Sequence, residues 1–215
     1  MKLHRFLLNL FFPPRCVFCH ELLPLREENG ICPHCEKTLP RFHGTEKTEF
    51  VERVVAPFRY EAAVRDSLRR YKFGGRSFYA SVYAPCMAEA LRENPIAFDV
   101  ISWVPLHPRR RRSRGYDQAE LLARALSAEL GTEAVPLLRK QRNAAPQSGT
   151  GDAAARRANI SGCYAILPDA AVEGRRVLLV DDIFTTGATL SECARILLMA
   201  GCEEVSAVTV ATAHR

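Results

Sequence analysis

The sequence predicts an α/β fold: a mainly parallel sheet flanked by helices, with a small four-cysteine module in front of it. Three observations carry this. Short apolar runs at 98–104, 177–180 and 205–211 alternate with stretches of helical spacing, the order that gives a parallel sheet covered on both faces. Glycines or an Asn-Pro pair close the helical stretches. Four of the eight cysteines crowd between positions 16 and 35.

The elements follow in order. Leu3, Phe6, Leu7, Leu10 and Phe11 fall on one helical face and predict a short amphipathic helix docked on the body, with a peripheral membrane anchor as the alternative. Asn9 interrupts the run and no small-residue cleavage site follows, which argues against a secretion signal. No stretch is long enough to cross a bilayer. Residues 14–40, rich in Cys, Pro and charge, read as a module held by something other than a core, and 41–49 as a polar linker. Then come a strand or hairpin at 51–60, a helix at 62–71 ended by Gly74-Gly75, and a helix at 79–93 closed by Asn94-Pro95. A strand at 98–104 precedes a helix at 116–130 capped by Gly131. Residues 141–161 show no periodicity. Strands at 163–167, 177–180 and 205–211 surround a helix at 187–200 ended by Gly201. This divides the chain into a module over 1–45 and an α/β domain over 46–215.

The 215 residues carry a net charge of +6, which suits an anionic partner, a phosphate ester or a nucleic acid. The cysteine positions do not resemble a disulfide framework, so a reduced, cytoplasmic setting is expected.

The segment 177–200 is the most informative. Four apolar residues, Val177 to Val180, suit a central parallel strand, and ligands of open α/β sheets bind beyond the carboxyl ends of such strands. Asp181 and Asp182 stand there. Ionised carboxylates only accept hydrogen bonds, so they suit sugar hydroxyls. Thr185, Thr186, Gly187, Ala188 and Thr189 follow and open a helix, whose free N–H groups and dipole favour a phosphate. The alternatives are aspartates that only cap the helix, or an acidic metal pair of the phosphoacceptor kind. Neither accounts for the phosphate-cradling run behind them.

Two further segments bear on anion binding. Arg109 to Arg112 and Arg114 follow the strand at 98–104. Their guanidinium groups fit a pyrophosphate, and by composition alone they fit a nucleic-acid patch or a solvated turn equally well. Residues 141–161, which hold Gln147, Arg156, Arg157 and Asn159, are long for a loop and read as a lid or a linker.

Cys16-x-x-Cys19 and Cys32-x-x-Cys35 make two knuckles able to complete a tetrahedral four-sulfur zinc shell. Such a shell has no open position, so the zinc is structural. Redox pairs are the alternative, and His20 and His34 lie beside the knuckles. Cys86, Cys163, Cys193 and Cys202 sit in apolar surroundings and read as core residues.

Residues 177–189 resemble the phosphoribosyl pyrophosphate (PRPP) signature of type I phosphoribosyltransferases. The whole pattern resembles the ComF-type competence family: the two knuckles, Pro105-Leu106-His107 with Arg114-Gly115-Tyr116-Asp117-Gln118, Gln147-Ser148-Gly149 with Arg156-Arg157-Ala158-Asn159, and the signature. The resemblance implies a type I phosphoribosyltransferase-like fold with an N-terminal zinc ribbon. It implies that Asp181 and Asp182 are catalytic and hold the ribose of PRPP, while Thr185 to Thr189 hold its 5-phosphate. It makes His107, Arg109, Arg114 and Gly115 a pyrophosphate loop, with Arg114 favoured, and Gln147, Arg156 and Asn159 parts of a closing lid. Magnesium would accompany PRPP, with few protein ligands. A phosphoribosyl group would pass to an acceptor that the sequence does not identify, with a link to DNA uptake and natural transformation. The alternative is a non-catalytic protein that binds PRPP, a nucleotide or single-stranded DNA. The sequence departs from the family where it has Asp117 in place of Asn and Thr150 in place of an apolar residue. Asp117 is given no binding role.

Overall fold

The computed structural model describes residues 13–24, 29–142 and 160–213. The helix expected over residues 3–11 lies outside them. In chain order the elements are α1 (Pro33–Thr38), β1 (Thr45–Thr48), β2 (Val51–Val55), β3 (Phe58–Arg59), α2 (Ala62–Phe73), α3 (Tyr79–Glu93) and β4 (Val100–Trp103). They continue with α4 (Pro108–Arg114), α5 (Gln118–Leu130), β5 (Leu138–Lys140), β6 (Tyr164–Ile166), β7 (Arg176–Phe184), α6 (Ala188–Met199) and β8 (Glu204–Thr212).

The main sheet runs β1-β2-β8-β7-β4, parallel except for β1, which pairs antiparallel with β2. β7 and β8 are central because their apolar residues can be buried on both faces. Val54 and Val55 lie opposite Ala207 and Val208, and Phe58 lies opposite Ala211, so β2 and β3 form one line beside β8. Pro57 falls in the break, where a residue without an N–H cannot pair. The strand or hairpin expected at 51–60 is therefore an interrupted strand.

Side chains alternate across the sheet. Leu178 and Val180 join a core shared with residues of α2, α3 and α5, while Val177 and Leu179 join one shared with α6 and the β5–β6 pair. By the same alternation Asp182 follows the first face and Asp181 the second.

Three expectations are corrected. The polar linker contains β1, an exposed edge strand whose Thr48 Oγ1 lies 2.5 Å from Ser191 Oγ on α6. The arginine loop is the helix α4, with His107 as N-cap, Pro108 in its first turn and Gly115 as a left-handed C-cap. The cysteine module is not separate from the core. Val17 and Phe18 are fully buried within it, and the Phe18 ring meets Phe58 and Tyr83 at 5.3 and 5.8 Å. The four scattered cysteines are buried free thiols, as expected.

Candidate functional site

A cleft of about 220 Å³ opens where β4 and β7 end. Asp181, Asp182 and Thr189 line it with Lys72, Arg110, Arg114, Asp117, Lys140 and Tyr164. A larger groove, about 700 Å³, follows the β1–β2 edge, but Glu49, Glu52, Glu203 and Glu204 on its walls make it unsuited to phosphate.

The two aspartates meet different partners because they follow opposite faces of β7. Asp182 pairs with Lys72 Nζ at 3.0 Å. Burial opposes the Lys72 charge, but the carboxylates of Asp182 and Asp181 outweigh it and raise its pKa. Asp181 faces the β5–β6 side, and its Oδ1 accepts from the Asp182 N–H at 2.8 Å. Burial and then the neighbouring Asp182 push its carboxyl up to about 7. Lys140 donates to the Tyr164 hydroxyl at 2.8 Å, and burial lowers its pKa.

Behind the aspartates, Thr185 and Thr186 turn the chain into α6 and Gly187 is its N-cap. Gly187 has φ 72, and a Cβ there would stand 2.9 Å from both the Phe184 ring and Thr48 Oγ1. Glycine is therefore required twice over. Thr189 enters the cleft wall; Thr185, Thr186, Gly187 and Ala188 form the adjoining turn.

The arginines separate by helical phase. Arg110 and Arg114, one turn apart on α4, line the cleft. Arg109, named from the sequence, lies outside that wall, and Arg111 pairs with Glu120 at 3.0 Å. Arg114 Nη1 donates to Gln118 Oε1 at 2.9 Å. His107 and Gly115 do not line the cleft; His107 Nδ1 accepts from the Arg109 N–H at 3.2 Å and Gly115 closes the same helix. Asp117 shapes the backbone instead. Its carboxylate accepts from the N–H groups of Leu106, Ala119 and Glu120, fixing the chain on both sides of α4. Burial raises its pKa. Gln147, Arg156 and Asn159 lie outside the described residues.

In the knuckles the sulfurs of Cys16, Cys19, Cys32 and Cys35 lie within 4.8 Å of one another. Cys19 and Cys32 are 3.6 Å apart, close to the edge of ~3.8 Å that zinc–sulfur bonds of ~2.3 Å give a tetrahedron. Backbone N–H groups of Cys32 and Cys35 point at the sulfurs of Cys16 and Cys32. Burial raises Cys19 and Cys35, and a bound dication is what allows such crowded thiolates to coexist. The donor set fits a closed structural zinc.

The fold and the two sites define a phosphoribosyltransferase-type α/β protein that carries a zinc ribbon. Residues 114–215 match the phosphoribosyl transferase domain, and residues 7–46 match the double zinc ribbon domain. The chain is 27% identical to Competence protein F of Haemophilus influenzae, over 91% of this chain and 95% of that one. It is 31% identical to Competence protein ComFC of Streptococcus pneumoniae, over 83% and 78%. It is also 31% identical to the DNA utilization protein YhgH of Escherichia coli K12, over 84% and 83%. The chain belongs to the ComF-type competence family.

Lys72 and Lys140 are cleft residues that the sequence reading missed, because no local pattern connects them to the signature; Arg110 belongs to the arginine run already read as an anion site, and it takes the place in the wall expected for Arg109. The helix expected at 116–130 begins at Gln118 instead, with Asp117 as its N-cap, a residue type that favours that position.

Proposed function

We propose that this protein binds PRPP in the cleft and transfers its phosphoribosyl group. One observation carries the reading: the carboxylates of Asp181 and Asp182, the turn that opens α6, and the cations Arg110, Arg114, Lys72 and Lys140 meet at one sheet end. In this reading the aspartates accept from the ribose hydroxyls and the α6 N-terminus takes the 5-phosphate. Arg110 and Arg114 neutralise pyrophosphate as its bond to the anomeric carbon breaks and the acceptor's bond forms. Magnesium, a hard cation with few protein ligands here, would arrive with the phosphates and add charge neutralisation. Gln147, Arg156 and Asn159 are assigned to the closing lid that excludes water. Calorimetry with PRPP and Mg²⁺ tests the binding, and no heat of binding sinks it. Pyrophosphate release with a panel of bases and amines tests transfer; none with any acceptor leaves a PRPP-binding protein without catalysis.

A second reading, single-stranded DNA binding within the DNA-uptake machinery, is favoured by a pairing across elements. Phe73 at the end of α2 is three-quarters exposed, and the Arg114 guanidinium lies 5.0 Å from its ring centre. Arg109 and Arg112 are exposed on the same helix, α4. Stacking platforms combine such aromatics with cations. Replacing Arg109 and Arg112 with alanine is expected to lower the salt slope of single-stranded DNA binding by ~1.4, at ~0.7 per phosphate contact. Phe73→Ala is expected to cost ~1–3 kcal/mol of affinity. An unchanged slope together with unchanged affinity removes this reading.

A further inference from the structure

The zinc ribbon and the cleft share one helix. Within the first knuckle, the Val17 carbonyl accepts from Ser67 Oγ at 2.5 Å and from Arg70 Nη2 at 3.0 Å, and the Phe18 carbonyl accepts from Arg70 Nη2 at 2.6 Å. Ser67 and Arg70 are one turn apart on α2. Ser67 is fully buried and also contacts the Tyr83 hydroxyl at 2.6 Å. Two residues beyond Arg70, where the helix has turned through roughly 200° at 3.6 residues per turn, Lys72 reaches Asp182. One side of the last turn of α2 therefore grips the knuckle while the other supplies a cation to the cleft.

A ring column reinforces this. Phe18 packs on Tyr83, Tyr83 on Tyr71, and the Tyr71 hydroxyl donates to the Gln118 carbonyl at 2.8 Å. The helix ends at Gly74, so Lys72 sits on its last rigid turn rather than on a loop.

We propose that Lys72 is a ligand-contacting residue of the cleft and that the zinc knuckle positions it, with Ser67 and Arg70 anchoring α2 to the carbonyls of Val17 and Phe18. An ammonium has three donors. One reaches Asp182, and the others can meet oxygens of a pentose phosphate held there. The choice of ligand rests on the PRPP reading above; the mechanical link between knuckle and lysine does not.

The link is tested on the full-length zinc protein. Lys72→Met is expected to weaken PRPP binding by about tenfold or more, ~1.4 kcal/mol per factor of ten. Arg70→Met, with its zinc retained, is expected to weaken it in the same direction. The double variant is expected to bind no worse than Lys72→Met alone, because both changes remove one interaction. Additive losses overturn the link, as does wild-type affinity in zinc-loaded Arg70→Met. If Arg70→Met fails to fold, Ser67→Ala removes a single anchor and carries the same expectation.

A second readout does not depend on PRPP. The positive charge of Lys72 acts to hold the Asp181 pKa down, against burial and the carboxylates of Asp182 and Asp117. Titration of the Asp181 carboxyl, followed by carbon NMR, is expected to move upward in both Lys72→Met and Arg70→Met. An unmoved titration in Arg70→Met overturns the link even if the wild type binds no PRPP. Absent PRPP binding with a shifted titration sinks only the choice of ligand.

Discussion

Cys32→Ser is expected to empty the ribbon of zinc and to destabilise the whole protein. Cys32 holds the centre of the module. Its sulfur lies 3.6 Å from that of Cys19, its side chain caps α1 by accepting from the Cys35 N–H, and its own N–H points at the Cys16 sulfur. A serine oxygen is a poor zinc ligand, and structural zinc supplies on the order of 10 kcal/mol to the folding of such modules. The loss does not stay local. Val17, Phe18, Leu23 and Leu39 belong to the same buried cluster as Val55, Phe58, Tyr71 and Tyr83. Withdrawing Phe18 alone corresponds to a large-to-small core change of ~3–5 kcal/mol. At ~2–4 °C per kcal/mol for a chain of this size, that contact alone corresponds to a fall of ~6–20 °C in melting temperature. Metal analysis and thermal unfolding check both parts. A variant with one zinc per chain and the wild-type melting temperature contradicts the assignment.

Much of this architecture is legible in the sequence, and what is not has identifiable causes. Helix α3 runs from Tyr79 to Glu93 as its spacing predicts, and Asn94-Pro95 marks where it stops, although Phe78 at its N-cap supplies no side-chain hydrogen bond. The β7–α6 unit is equally legible, since an apolar strand, an acidic pair and a Gly-centred turn are all local features. β1 is hidden because Thr-Glu-Lys-Thr is a polar edge strand with no buried face of its own. α4 is hidden by its charge, although His107 and Pro108 form a readable N-terminus. The merging of the ribbon with the main core has no local signature. Phe18 lies beside Cys19 in sequence, and only the folded chain places it against Phe58 and Tyr83. The cleft divides in the same way. Asp181, Asp182 and Thr189 come from one short motif, whereas Lys72 and Lys140 come from distant elements that tertiary packing brings to the sheet end.

The Asp181→Asn, Asp182→Asn double variant is expected to lose PRPP binding by ~3–6 kcal/mol, at ~1.5–3 kcal/mol for each hydrogen bond to a charged group. The sign of this effect is informative. PRPP is a polyanion, so removing two negative charges from its cleft should tighten binding if the aspartates do nothing but repel it. Loss of affinity therefore means that they do more than repel it, by accepting from the ribose hydroxyls and, for Asp182, by holding Lys72 at the ligand. Asp181→Asn alone sharpens the test. Its carboxyl is raised in the fold, from 3.8 to about 7, by burial and then by Asp182. A raised carboxyl favours the folded state at low pH and loses that advantage as pH rises through the folded value. Asparagine carries no charge to bury, so the variant is expected to gain stability relative to wild type as pH climbs toward 8, while its PRPP affinity falls. The same raised carboxyl predicts that wild-type affinity weakens below about pH 7, where Asp181 takes up a proton and ceases to be a pure acceptor. Thermal unfolding and calorimetry at pH 6 and 8 read both quantities. Higher stability with lower affinity identifies Asp181 as a group kept for binding at a cost to the fold. Higher stability with unchanged affinity removes it from the site.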